Sequence, residues 1–158
     1  KRGEAADFAT GHLGSNLERV VRASTKPILV ASRTFKPVET MLIAYDGGAS
    51  SEKAVKWIAE DPLFKGLSVT VAHVGEAGQS VRAGLEAASG RLTEAGLSVT
   101  TVFEKGQPDA VLGRLVEQNG VGLVVMGAYG HSRIRSMIIG STTSEMIRSC
   151  KAPVLLVR

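Results

Sequence analysis

Cysteine is nearly absent from this sequence. Cys150 is the only one in 158 residues, which excludes an internal disulfide framework and a cysteine-cluster metal site. A chain so poor in cysteine suits a reducing compartment, and the cytoplasm is the expected location. Aromatic residues are also scarce: one Trp, two Tyr and four Phe. The core must therefore be built from Val, Ile, Leu and Ala. No apolar run reaches the roughly 18 residues of a membrane span, so a membrane is not an expected partner. The start does not read as a secretory leader, since no apolar run follows Lys1-Arg2. It opens on Lys1 rather than Met, as expected of a processed, tagged or truncated piece. Basic residues are not interleaved with aromatics that would stack bases, so nucleic acid is not an expected partner either.

What is present is ordinary in amount and uneven in distribution. The chain is 44% hydrophobic and 22% charged, with net charge +4. Residues 1–40 carry 7 basic and 4 acidic side chains, residues 41–126 carry 7 and 10, and residues 127–158 carry 5 and 1. Positive charge is thus concentrated in the last segment, around its glycines.

The polar stretch 34–40, which contains Pro37, reads as a linker between two unlike regions. After it, short apolar strands alternate with helical patterns. Strands are expected at 41–45, 67–74, 97–103, 121–126 and 154–157. Helices are expected from Ser50 or Ser51 to about 60, then at 79–95, 108–118 and 141–149. Ser50 or Ser51 is the expected cap of the first, with Glu52 in its opening turn. Gly84 and Gly90 weaken the second by about 1 kcal/mol each relative to Ala. This alternation predicts an α/β fold, a five-stranded mostly parallel sheet with helices on both faces. Ligands of such sheets bind beyond the carboxyl ends of the strands. Asp46 and the loop that begins at Gly127 both follow such ends.

A partial internal repeat precedes this domain. Gly14-Ser15, Arg22, Pro27 and Leu29 recur as Gly140-Ser141, Arg148, Pro153 and Leu155, each 126 residues later. Residues 1–33 therefore read as the last helix and strand of a preceding copy, and 41–158 as a complete one. Residues 28–31 can run beside 154–157, in place of a partner domain. The helix before them, with Leu17, Val20 and Val21 on one face, then has no sheet of its own and is expected to bury that face against another chain. A homodimer or larger homo-oligomer is the expected assembly.

The chemistry concentrates in Gly127-Ala128-Tyr129-Gly130, followed after nine residues by Gly140-Ser141-Thr142. Glycines let backbone N–H groups approach an anion closely. A helix opening at Ser141 adds unpaired N–H donors and the positive end of its dipole. Ser141 and Thr142 hydroxyls can donate to phosphate oxygens, and His131, Arg133 and Arg135 lie on the intervening loop. Asp46, after an apolar strand, is either a polar anchor for a ligand or an Asx-turn residue that starts the next helix.

With these residues assembled, the sequence resembles the universal stress proteins, the UspA-like branch of the adenine nucleotide α-hydrolase-like folds. The family pattern is Gly, two residues, Gly, nine residues, Gly-Ser/Thr, and residues 127–141 fit it without gaps. The likeness runs over 41–158. It takes in Asp46-Gly47, His73-Val74, Val124-Val125-Met126-Gly127 and the closing Ala152-Pro153-Val154-Leu155-Leu156-Val157. Residues 1–33 resemble the end of a preceding domain of a tandem protein. Two departures stand out: Gly122 where the family often has Asp, and Gly48 where a serine is common.

The resemblance implies a Rossmann-like fold that binds ATP, or ADP or AMP, with Mg²⁺ arriving on the phosphates. It implies contacts to the adenosine end from Asp46, beside Ala44, and an adenine pocket lined by Val74. Met126 and Gly127 would flank the ribose and phosphates, and Gly130, Gly140, Ser141 and Thr142 would hold the phosphates. It also implies pairing of domains through their final strands. No catalytic residues are assigned. Ser141 stands where a Walker loop would have lysine, and no carboxylate pair or Cys/His cluster suggests hydrolysis or a resident metal. At most slow ATP hydrolysis is expected. A dimerisation or interaction domain that does not use nucleotide is the alternative.

Overall fold

A computed structural model describes residues 15–32, 36–128 and 140–158. The elements in chain order are α1 (Ser15–Ala23), β1 (Ile28–Val30), β2 (Thr40–Ala44), α2 (Ala49–Glu60), a 3₁₀ turn (Pro62–Phe64) and β3 (Ser68–Val74). There follow α3 (Gln79–Glu94), β4 (Ser98–Glu104), α4 (Pro108–Gln118), β5 (Leu123–Gly127), α5 (Ser141–Ser149) and β6 (Val154–Val157). The expected alternation is present, with strand ends shifted by one or two residues.

The sheet order is β1-β6-β5-β2-β3-β4. All neighbours are parallel except β1, which runs antiparallel to β6. The sheet has six strands rather than five, because β1, which precedes the polar 34–40 stretch, joins it beside β6.

Alternate side chains of each strand enter opposite cores, the period-2 consequence of the pleat. Met41, Ile43, Val69, Val71, Leu123 and Val125 pack against Ala54, Val55 and Ile58 of α2 and Leu85, Ala88 and Leu92 of α3. Leu42, Ala72, Val124, Met126, Val154 and Leu156 face Val111, Leu112, Leu115 and Val116 of α4 and Met146 of α5. Ile43, Val71, Val124 and Val125 are fully buried, and each such side chain stabilises the fold by about 1.5–3 kcal/mol.

One expectation about the N-terminal segment holds, since residues 28–30 run beside 154–156, and two related ones are corrected. The first concerns α1, which does not leave its apolar face for another chain. Val21 is 2% exposed within the same core as α4 and α5, and Leu17 packs against that core. Of the three residues named, only Val20 is left exposed. The second concerns β6, which is not an edge: β5 lies on one side of it and β1 on the other. Two intact domains therefore cannot pair directly through 154–157 while β1 is in place.

The β1–β6 register is symmetric. Leu29 pairs with Leu155, Ile28 with Leu156 and Val30 with Val154. Residues 126 positions apart thus exchange roles about the Leu29–Leu155 pair, the self-complementary arrangement of a two-fold interface. The helices repeat with the same offset, Ser15–Ala23 and Ser141–Ser149, nine residues each.

Candidate functional site

From β2 the chain steps to β3 and β4 on one side, then crosses to β5 on the other. The β2–β5 boundary is therefore the topological switch point, where the first loops leave the sheet in opposite directions and open a crevice. Ala44 lies between Ala72 and Met126 in the ladder, and Gly127 is the last residue of β5. Asp46, Val74 and Gly127 thus follow or end three adjacent strands at one carboxyl edge. Ala44 and Val74 are half-buried against the α4/α5 core, and Met126 is buried in it. Gly130, with Tyr129, His131, Arg133 and Arg135, falls outside the described residues.

Gly127 is required where it stands. A Cβ there would lie 2.9 Å from the Ser50 Cβ, so no other residue fits without parting β5 from the first turn of α2. Thr143, buried in the first turn of α5, donates its hydroxyl to the Gly127 carbonyl at 3.1 Å. The strand end is thereby clasped between the starts of two helices. Gly140 is the N-cap of α5, and no side chain among the described residues caps that helix. Ser141 is exposed and Thr142 half-buried beside it. The opening turn of α5 therefore offers backbone N–H groups and two hydroxyls to an anion.

The start of α2 differs. Neither Ser50 nor Ser51 caps it; the N-cap is Gly48. Asp46 does the organising work from outside the helix. Its Oδ1 accepts from the Gly48 amide at 2.9 Å and lies 2.7 Å from the Ser51 hydroxyl. Of the two roles open to Asp46, the Asx-turn role is the one its Oδ1 contacts display. The carboxylate sits near the positive end of α2, where it is stabilised. A Cβ at Gly48 would come within 3.0 Å of Asp46 Oδ1, so the serine common in the family would crowd this turn. At Gly122 a Cβ would lie 3.1 Å from the Val38 Cα, leaving little room for the family's Asp.

Sequence reasoning missed the supports behind the site. The Tyr45 hydroxyl donates to the Glu52 carboxylate and presses on Gly84 of α3. Burial, and then the Glu52 hydrogen bond, push the Tyr45 phenol above its ordinary range. Thr143 was legible only as part of a Thr run. Among the described residues no group of three His, Cys, Asp or Glu side chains is placed to hold a metal ion. No helix among them is long and apolar enough to cross a membrane.

A mostly parallel sheet covered on both faces, with its polar groups gathered at the switch-point edge, makes this a Rossmann-like α/β protein. Residues 75–158 match the model of the universal stress protein family, and the chain belongs to that family. It is 40% identical over 160 residues to the universal stress protein Slr1230 of Synechocystis, a match covering 100% of this chain and 56% of the relative. The chain spans about half the length of the curated relatives it matches. Among solved structures it is similar to a universal stress protein in complex with cAMP, at TM-score 0.62 and 26% identity, covering 76% of this chain and 96% of the other. A universal stress protein family member from Arabidopsis thaliana with AMP bound shares the fold, at TM-score 0.58 and 16% identity, covering 77% and 91%.

Proposed function

We propose that this chain is a nucleotide-binding stress-response module that takes ATP, or ADP or AMP, at the β2–β5 crevice. The observation that carries the reading is the start of α5, which no described side chain caps, its Ser141 and Thr142 hydroxyls beside a β5 end that Thr143 fixes in place. That arrangement suits phosphate oxygens, and Gly130 completes the glycine spacing in the sequence. Ala44, Asp46, Val74 and Met126 supply the wall for the base and ribose, with Gly127 and Gly140 giving backbone access to the phosphates. The neighbours with cAMP and AMP support an adenine nucleotide. Mg²⁺ enters with the phosphates, held by their oxygens and by water. The module works in the cytoplasm by binding rather than by turnover.

Mass spectrometry of ligand released from protein purified without added nucleotide tests the occupant. Calorimetry with ATP, ADP, AMP and cAMP then ranks the candidates. Gly130→Val puts a side chain where the backbone approaches phosphate, and is expected to weaken ATP binding at least tenfold, about 1.4 kcal/mol. Equal affinity for variant and wild type refutes the placement.

The symmetric β1–β6 register favours a second reading for residues 15–30. They act as the end of a preceding universal stress domain, docked as a tandem partner docks. The exposed Val20 and Leu29 of this unit offer apolar surface to that domain or, in its absence, to a second copy of the chain. Light scattering at about 100 µM is expected to find a dimer, since a specific interface at the weak end binds near 10 µM, about −7 kcal/mol. A monomer at that concentration rules out self-association.

A further inference from the structure

His73 is 7% exposed, on the same face of β3 as Val69 and Val71, with its ring 6.3 Å from that of Phe103 between centroids. Its Nδ1 lies 2.9 Å from the Tyr45 carbonyl oxygen. Its Nε2 is buried and has no hydrogen-bond partner among the described residues. A carbonyl only accepts, so Nδ1 carries a proton, and in the neutral imidazole Nε2 is then a bare lone pair. A leucine at this position would fill the space without burying an unpartnered nitrogen, which is costly. The contribution of the imidazole is therefore the Nδ1–H bond, and that bond is made at a particular place. Tyr45 is the first residue after β2, and the next residue is Asp46. The Tyr45 amide already donates to Ala72 at 2.8 Å, and its hydroxyl is held by Glu52. The His73 bond fixes the remaining polar group of Tyr45, its carbonyl, and with it the peptide that leads into Asp46.

We infer that His73 is a positioning residue for the nucleotide site: as the Nδ1–H tautomer it pins the Tyr45–Asp46 peptide and so sets the Asp46 turn at the switch point. This rests on reading that crevice as the nucleotide cradle. His73 itself touches no ligand in this scheme. Asparagine can present an N–H donor near the position of Nδ1 but has no counterpart of Nε2, whereas leucine has neither.

Three measurements on the full chain test it. Long-range ¹H–¹⁵N spectra at neutral pH, assigned against His73→Asn, are expected to show Nδ1 protonated and Nε2 bare; the opposite tautomer overturns the inference. His73→Leu is expected to weaken ATP binding about 3- to 10-fold, the factor for one neutral hydrogen bond, while His73→Asn stays within about twofold of wild type. Exchange of the Gly48 amide, which reports the Asp46 turn, is expected to quicken by a similar factor in His73→Leu alone. If His73→Asn loses as much as His73→Leu, the ring or Nε2 is what matters and the inference fails. If the wild type binds no nucleotide, the proposed function fails separately, and the tautomer and Gly48 exchange still decide whether His73 sets the turn. Should His73→Leu not fold, the tautomer and the His73→Asn affinity and exchange decide it.

Discussion

Two glycines six residues apart on α3 make opposite predictions. Propensity alone says that either one, replaced by alanine, stabilises the helix by about 1 kcal/mol. Gly90 is exposed, and a Cβ there would meet nothing within 4 Å. Gly90→Ala is therefore expected to gain about the full 1 kcal/mol, raising Tm by roughly 2–4 °C for a chain of this size. Gly84 faces the Tyr45 hydroxyl, which a Cβ would overlap. The ring is 3% exposed in the core and its hydroxyl is engaged by Glu52, so it cannot swing aside freely. Overpacking of this kind costs about 1–3 kcal/mol, which outweighs the propensity gain. Gly84→Ala is expected to be net destabilising by about 0–2 kcal/mol, the difference of the two terms. Tyr45→Phe removes the hydroxyl that blocks the methyl. In that background Gly84→Ala should turn stabilising by up to about 1 kcal/mol, while Gly90→Ala should be unchanged. Urea unfolding of the wild type, the three single variants and the two doubles measures the cycle. If Gly84→Ala and Gly90→Ala stabilise equally in the wild-type background, the assigned contact between Tyr45 and Gly84 is wrong.

Other expectations follow from the same geometry. Thr143→Val keeps the shape but leaves the Gly127 carbonyl without its donor, and should cost about 1–3 kcal/mol in urea unfolding; a neutral result would mean that α5 does not anchor the β5 end. Tyr45 holds its proton more tightly folded than unfolded, so its contribution is intact below about pH 10 and is lost as pH rises above the unfolded value. Stability should therefore fall above that pH more steeply in the wild type than in Tyr45→Phe, by up to about 1.4 kcal/mol per pH unit; equal slopes would refute it. Burial pushes the Cys150 thiol up, which keeps it protonated at neutral pH, so labelling by a thiol reagent should be slow in native protein and fast in urea.

The order of strands and helices was legible because it depends on local pattern. Apolar runs such as 121–126 and 154–157, and the glycines and prolines between elements, bound each segment without reference to distant residues. The 126-residue repeat was legible for the same reason, and so was the glycine spacing that marks the candidate site. Tertiary structure alone decided what those residues touch. Asp46 had two roles open in the sequence, ligand anchor or turn residue, and its Oδ1 serves the Gly48 amide and Ser51, because the α2 start folds back on it. Gly127 looked like an opening for phosphate and is also forced by Ser50 of another element. Gly84 read as a weak point in a helix and is the space that Tyr45 needs. His73 entered the sequence reading only within the His73-Val74 likeness, and only the folded chain brings its Nδ1 to a carbonyl 28 residues away. The face of α1 has an apolar pattern that any partner could cover; docking of β1 on β6 gave it the α4/α5 core of its own chain. Period and propensity act over a few residues, whereas contacts between strand ends and helix starts depend on how the whole sheet is ordered.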